Sequence, residues 1–472
     1  MLDERPAETR HHAGAAIMIA AAAAVGGFLF GYDTSVINGT VDALKREFAL
    51  GSVVLGFVVS SALLGCAVGA WFAGPVADRV GRVRVMLIAA AMFIASAIGS
   101  GLAFAAWDLT IWRVVGGLGV GAASVIAPAY IAEISPAHMR GRLGSLQQLA
   151  IVLGIFVALL VDYLLAQAAG GDPGASVPWG GAAWRWMFAS AAIPAIAYAV
   201  LALKIPESPR YLVRRGKDEL ARAVLSKVVG GDVDLRIREI KRTLAGAADQ
   251  IRMSVLKGPR LGLLPIVWVG ILLSMFQQFV GINVIFYYSA SLWASVGFSQ
   301  SHALLITVIT SVTNIVTTLI AIALVDRIGR KPLLLIGAAG MVLTLGVMAW
   351  CFSHATQTVN VLGETVTKLP PGIDKVALVA ANLYVVAFGM SWGPVVWVLL
   401  GEMFNNVIRV TALAVAASAQ WVSNWLITVT FPALSDIGLT LAYGLYASFA
   451  LLAFIFVARA VRETKGRELE TM

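Results

Sequence analysis

Charge is what this sequence most lacks. Only 13% of its 472 residues are charged, against 59% that are hydrophobic. A water-soluble domain needs about a quarter of its residues charged to cover its surface, so an ordinary soluble globular protein is excluded and much of the surface must face lipid. Cysteine is nearly absent too. Cys66 and Cys351 both fall in apolar stretches, which excludes a disulfide framework or zinc spacing and suits two small packing residues. No Gly-rich phosphate loop, metal cluster or nucleophile–base arrangement stands out, so no enzyme, cofactor or metal site is expected. His138 falls in a loop outside any membrane proton path and is given no role.

What the chain has in abundance is long apolar runs. They lie near 14–39, 54–77, 85–106, 110–134, 144–166 and 184–205, and again near 262–294, 301–325, 332–353, 376–401, 410–432 and 438–461. A bilayer core of roughly 30 Å takes about 20 apolar residues per helical span, so these twelve runs read as twelve spans. A transmembrane barrel does not fit, because barrel strands alternate and these runs are apolar on all sides. The first run is too long for a cleavable signal peptide, lacks a cleavage site and contains Asp33, so it is expected to be a span.

The formal net charge of +9 does not imply nucleic acid, because the basic residues follow the spans. With a cytoplasmic amino terminus, the inward loops and the two tails hold 27 of the 35 Lys and Arg, and the outward loops hold four, Lys45, Arg46, Lys368 and Lys375. The positive-inside rule then places both ends in the cytoplasm of a plasma (inner) membrane protein. A polar segment at 206–260 divides the spans six and six. Its apolar residues are spaced as in short amphipathic helices, as in Leu220-Ala221-Arg222-Ala223-Val224-Leu225, which predicts a small cytoplasmic helical bundle. The expected organisation is a six-helix bundle at 1–205, this linker domain, a second six-helix bundle at 261–461 and a tail at 462–472.

The halves repeat each other. Asp78-Arg79-Val80-Gly81-Arg82 follows the second span and Asp326-Arg327-Ile328-Gly329-Arg330 the eighth; Glu133 with Arg140 ends the fourth, and Glu402 with Arg409 the tenth. Matched motifs at matched helix ends signal an internal duplication, the plan on which secondary transporters rock two bundles around a midplane site. Acids beside bases at these turns suggest ion pairs between the bundles that gate the cytoplasmic side.

These residues resemble the sugar porter family of the major facilitator superfamily, which includes proton-coupled xylose, galactose and glucose symporters and facilitative glucose transporters. The likeness rests on Pro206-Glu207-Ser208-Pro209-Arg210, on Arg113 to Gly121 followed by Tyr130-Ile131-Ala132-Glu133, and on Gln277-Gln278-Phe279-Val280-Gly281-Ile282-Asn283 followed by Tyr287-Tyr288. It implies an all-α integral membrane protein with the superfamily's fold, and it adds Glu207 and Arg210 to the gating set; nothing in the sequence forces assembly, so a monomer is expected. Two motifs depart from the family pattern. A basic residue is displaced in Gly81-Arg82-Val83-Arg84, and the tail motif Arg462-Glu463-Thr464-Lys465-Gly466 lacks its proline.

Uncharged amides suit a sugar because each offers two donors and an acceptor to neighbouring hydroxyls. Gln277, Gln278 and Asn283 fit that need, provided a break near Gly281 lets them converge. The resemblance completes the site with Gln148, Asn314, Trp397 after Gly393-Pro394, Gln420, Trp421 and Asn424; a tryptophan gives a flat apolar face and one N–H donor. Asp33, an acid inside the first span, is a functional candidate by its cost alone, with Arg113 of the fourth as its partner. Moving that arginine toward or away from Asp33 would switch the carboxylate's affinity for a proton. In the family an Asp at this position resembles the proton symporters. The expected function is therefore proton-coupled monosaccharide symport, with a facilitative sugar or polyol uniporter as the alternative and a non-transporting sugar sensor behind it.

Overall fold

In lipid every backbone N–H and C=O must be bonded within the protein, which favours long uninterrupted helices wherever a chain crosses a membrane. The computed structural model describes residues 7–134, 140–228, 233–246, 253–359, 365–404 and 408–464. Twelve of its helices are long and apolar enough to cross a membrane. In order they are Ile17–Ser35, Ser52–Val80, Arg82–Gly101, Ala106–Ile134, Leu146–Ala168 and Ala183–Lys204, then Pro265–Ser295, Gln300–Val325, Arg330–Ser353, Ile373–Met403, Thr411–Ile437 and Leu439–Ala460. They follow the apolar runs of the sequence closely. Cys66 and Cys351 are buried free thiols.

Between the sixth and seventh spans stand three short helices, Pro209–Arg214, Asp218–Val228 and Val233–Gly246. Leu212, Val213, Ala221, Leu225 and Ile237 give them a small core of their own. Ser208 caps the first of them by accepting from Tyr211 N at 3.3 Å, with Pro209 in its first turn. An antiparallel hairpin, Thr356–Val359 with Thr365–Lys368, stands between the ninth and tenth spans, where the sequence had been read only as a loop. Its Thr and Val residues suit a two-stranded ribbon.

The chain's connections define two ends. The network end carries the links after the even-numbered spans, including the three short helices, and the far end carries the links after the odd-numbered ones. The two six-helix sets meet along the second and eleventh spans and along the fifth and eighth.

The glycine run in the fourth span has a packing reason. A Cβ on Gly117 would overlap the Ala62 carbonyl of the second span, and one on Gly121 the Cys66 carbonyl. In return Gly65 lies against the Val114 carbonyl and Gly69 against that of Leu118. Bare backbones thus interlock, as small residues permit between membrane helices. The same reciprocity joins the first and fifth spans, where Gly31 faces the Ile151 carbonyl and Gly154 that of Phe28.

Replacing Gly117 by Leu should therefore wedge the two spans apart and cost about 1–3 kcal/mol, the usual size of an overpacking defect. Thermal unfolding in detergent should show a clear loss for Gly117→Leu. Gly74, which has nothing within 4 Å of its Cβ position, should accept Ala with little change.

Candidate functional site

The seventh span is two helices. Pro265–Phe279 ends at Val280, Gly281 turns through φ +84°, and Ile282–Ser295 resumes. Such a left-handed φ is open to glycine at little cost, and the Tyr446 ring lies 2.7 Å from where a Cβ would stand. The break frees carbonyls, and they are taken up. Tyr384 donates its hydroxyl hydrogen to Val280 O at 2.7 Å.

The tenth span is broken as well, between Ile373–Gly389 and Trp392–Met403. The break falls at Met390-Ser391, ahead of Gly393-Pro394, rather than at the Gly-Pro pair itself. Pro394 lies in the first turn of the second helix, where a missing N–H costs nothing, and the carbonyl its ring would crowd is four residues earlier, at Met390. Gln277 donates from Nε2 to Trp392 O at 2.8 Å and to Gly393 O at 3.2 Å, so one amide of the seventh span satisfies carbonyls at the break in the tenth.

The break at Gly281 brings the three seventh-span amides into one row. Gln278 Nε2 reaches Gln277 Oε1 at 3.5 Å, and Asn283 Nδ2 donates to Gln278 Oε1 at 2.5 Å. Asn424 of the eleventh span accepts from Thr428 Oγ1 at 3.2 Å and lies within hydrogen-bonding reach of the Tyr287 hydroxyl. The Trp421 ring lies 5.8 Å from that of Phe30 of the first span, tilted at 45°, and joins the two halves. Asn314 is buried, with Oδ1 3.6 Å from the Cβ position of Gly389. Gln148 is half-buried and Gln420 Oε1 is buried without a partner among the described residues, while Trp397 is 45% exposed, unlike the fully buried Trp392 beside it. Among the described residues no hydrogen bond joins Gln148, Asn314, Trp397 or Gln420 to the amide row. An amide that the sequence reading passed over, Gln147, is buried against Gly27 with both polar atoms unpartnered. Its only signal was the doubled glutamine.

Asp33 and Arg113 meet as expected. Arg113 Nη1 donates to Asp33 O at 3.0 Å and to its Oδ2 at 3.4 Å, both residues being buried. Phe188 lies under the guanidinium at 5.7 Å, and Arg113 Nε has no partner among the described residues.

At the network end the two halves carry the same circuit. Arg82 holds Glu133 with two bonds of 3.0 and 3.1 Å and Asp78 with a third of 3.0 Å. Glu207 accepts from the backbone N–H of Arg82 at 2.9 Å and Ser208 at 2.8 Å, and the Ser208 hydroxyl bonds Glu133. In the second half Arg330 holds Glu402 at 2.7 and 3.0 Å, Glu463 accepts from Arg330 N at 3.1 Å and Thr464 N at 2.9 Å, and Thr464 Oγ1 donates to Glu402 at 2.6 Å. The tail motif thus repeats Glu207-Ser208 contact for contact, and its missing proline changes none of them. Glu463 was legible only as an acid followed by a hydroxyl. Arg79 lends its carbonyl to Tyr211 Oη at 3.4 Å; Arg210 is half-buried and Arg327 exposed, and the side chains of Arg140, Asp326 and Arg409 lie outside the described residues. The described ion pairs of both circuits run within a half. The sequence had suggested pairs between the bundles, but a bidentate Arg–Glu fork is completed here by neighbours on the same side.

The bonds between halves cluster at the far end instead. Asn38 Nδ2 donates to Phe286 O at 2.9 Å while Ala290 N donates to Asn38 Oδ1 at 3.0 Å. Asp42 accepts from Gln300 Nε2 at 2.6 Å and from Ser291, Ser52 bonds Asp436, and Gln167 bonds Ser301. Nearby, the bonded Arg46 guanidinium, 3.1 Å away, holds the Asp172 carboxyl below the usual carboxylate range.

The family model described as Sugar (and other) transporter matches residues 19–472. The chain belongs to that family. It is 58% identical over 470 residues to the glucose transport protein of Synechocystis sp., covering 99% of each chain, and 39% identical over 500 residues to the D-xylose-proton symporter of Escherichia coli, covering 98% of this chain and 96% of that one. A solved structure, the partially occluded inward open conformation of the xylose transporter XylE from E. coli, superposes with a TM-score of 0.82 at 36% identity, covering 97% of this chain and 100% of that one. The protein is a multi-pass membrane transporter with the major facilitator superfamily fold, not an enzyme.

Each Arg–Glu fork leaves a partly buried acid if its arginine is removed. Arg330→Ala should cost about 1–3 kcal/mol, the penalty for stranding such a group. It should lower the detergent unfolding temperature more than Arg459→Ala, a change in the last turn of the twelfth span.

Proposed function

We propose that the protein is a proton-coupled symporter of a monosaccharide working by alternating access. The observation that carries this reading is the buried Asp33–Arg113 pair, standing apart from a row of neutral amides. A binding site for a neutral polyhydroxyl ligand has no use for a carboxylate locked to a guanidinium one helix away. A proton does, because the pair must separate or protonate whenever its surroundings change.

The substrate would lie between the broken seventh and tenth spans and the eleventh. Gln277 spends its N–H groups on the tenth-span carbonyls, which fixes its oxygen and neighbours for the ligand. Gln278, Asn283 and Asn424 offer donors and acceptors, the Gln148 and Gln420 amides complete the wall together with Asn314, and the exposed Trp397 indole offers a face to the ring's C–H surface. The names of the relatives, one a glucose and one a D-xylose carrier, support a hexose or a pentose. Positive-inside charge supports a cytoplasmic network end, and the bonds that close the far end support an inward-facing state, as does the likeness to the inward-open relative. The two Arg–Glu circuits then brace each half while that end is open, and gate it as the halves rock.

Uptake of a sugar panel into proteoliposomes, with and without an imposed pH gradient, tests the whole reading. The gradient should drive one monosaccharide above its equilibrium level. Asp33→Asn should abolish that accumulation while leaving sugar binding and counterflow intact. Accumulation by the variant against a gradient would exclude Asp33 as the coupling site. Gln278→Ala should weaken sugar binding by about 1–2 kcal/mol, the worth of one or two lost hydrogen bonds, in equilibrium binding assays, without changing the unfolding temperature by as much.

A further inference from the structure

One buried acid takes no part in any of this. Asp162 of the fifth span is 0% exposed, and its single partner among the described residues is the backbone N–H of Gly39, 3.2 Å from Oδ2; Oδ1 has none among them. The contact is close, since a Cβ on Gly39 would stand 2.7 Å from the carboxyl carbon. The fifth span packs against the first, fourth, sixth and eighth. The first brings Tyr32, whose hydroxyl is shared with Ser190 at 2.7 Å, and Asp33, which is taken by Arg113 of the fourth. Arg185 of the sixth is spent on the Gly101 and Ala103 carbonyls and on Glu47, and His302 of the eighth pairs with Ser299. No cation among the described residues bonds Asp162.

An unpaired carboxylate in such a place is far costlier than a neutral acid, so burial favours the protonated form. The position of its one partner gives that preference a mechanical consequence. Gly39 directly follows Asn38, whose amide bonds Phe286 O and Ala290 N of the seventh span. One short turn therefore ties the carboxyl of the fifth span to the closure of the far end. An ionised Asp162 needs water, and water reaches it by parting that turn from the seventh span.

We propose that Asp162 is a second proton-binding site: it takes a proton from the aqueous phase at the far end when that end is open, and in neutral form lets the end close over it. This rests on the alternating-access reading above, and it is separate from the Asp33–Arg113 pair. The proton joins the carboxylate as a simple acid–base equilibrium, and differential proton affinity of the open and closed states supplies the coupling.

The test uses the full chain with Cys66 and Cys351 replaced by Ala and Leu55→Cys as a reporter, because Leu55 lines the far-end cavity of about 520 Å³ and is only 4% exposed with that end closed. In right-side-out vesicles, labelling by an impermeant maleimide should fall several-fold as the outer medium is acidified. In Asp162→Asn, whose amide oxygen still accepts from Gly39, labelling should stay low at every pH; in Asp33→Asn the pH dependence should persist. An undiminished pH dependence in Asp162→Asn would overturn the proposal. Addition of the transported sugar serves as the independent control: if sugar changes labelling and pH dependence survives in Asp162→Asn, only the Asp162 site falls, whereas labelling that neither sugar nor pH alters in any background sinks alternating access itself. Infrared spectroscopy of the parent protein gives a second readout that needs no labelling. A neutral carboxyl stretching band should be present at neutral pH, weakened in Asp162→Asn and retained in Asp33→Asn; a full parental band in Asp162→Asn would equally overturn the assignment.

Discussion

Backbone groups inside a membrane have no water to fall back on, and the shape of this protein follows from how that demand is met. Nine of the twelve spans largely meet it with their own helical bonds; the sixth is interrupted at Ala191, and the seventh and tenth are split in mid-span and must borrow partners. Tyr384 bonds the carbonyl freed at Val280, and Gln277 bonds those at Trp392 and Gly393. The two breaks satisfy each other. Because the residues that repair the backbone come from the same segments that carry the amide row, site and scaffold are one construction.

The duplicated circuits show a second economy. Arg82 with Glu133, Glu207 and Ser208 is matched by Arg330 with Glu402, Glu463 and Thr464. An Arg fork, a second acid capping the turn and a hydroxyl on the first acid form a unit that tolerates different surrounding sequence. That explains how Arg462-Glu463-Thr464 does the work of Pro206-Glu207-Ser208 without its proline.

Much of the architecture was legible in the sequence because lipid imposes a simple code: apolar runs of sufficient length become spans. The duplication was legible too, since matched turns carry matched residues. The meeting of Asp33 with Arg113 could be anticipated because an acid inside a span requires a partner. Three things could not be read. The location of the tenth-span break depends on which carbonyl Pro394 crowds, four residues before the visible Gly-Pro. That the described ion pairs close within each half, and that Asn38 and Asp42 join the halves at the other end, depends on which face of the transporter is shut, and one sequence serves every state of the cycle. Asp162 escaped because, in Val161-Asp162-Tyr163, it is one acid in an apolar run with no basic residue at helical spacing to draw attention to it.

The interlocked glycines divide the labour between the halves in a way that bears on how such a protein can change over generations. In the first half, helices touch backbone to backbone at Gly65, Gly69, Gly117 and Gly121, and again at Gly31 and Gly154. Side chains added at those points would collide with carbonyls that have no room to yield. In the second half, the facing groups at Gly270, Gly337 and Gly281 are the side chains of Phe404, Ser391 and Tyr446, which can be exchanged or rotated. The half that holds Asp33 and Arg113 thus has several helix crossings fixed backbone to backbone, while the half with the seventh- and tenth-span breaks has contacts that can be retailored. On the function proposed above, the polar residues of the second half can be exchanged across a lineage with less disturbance of the Asp33–Arg113 pair.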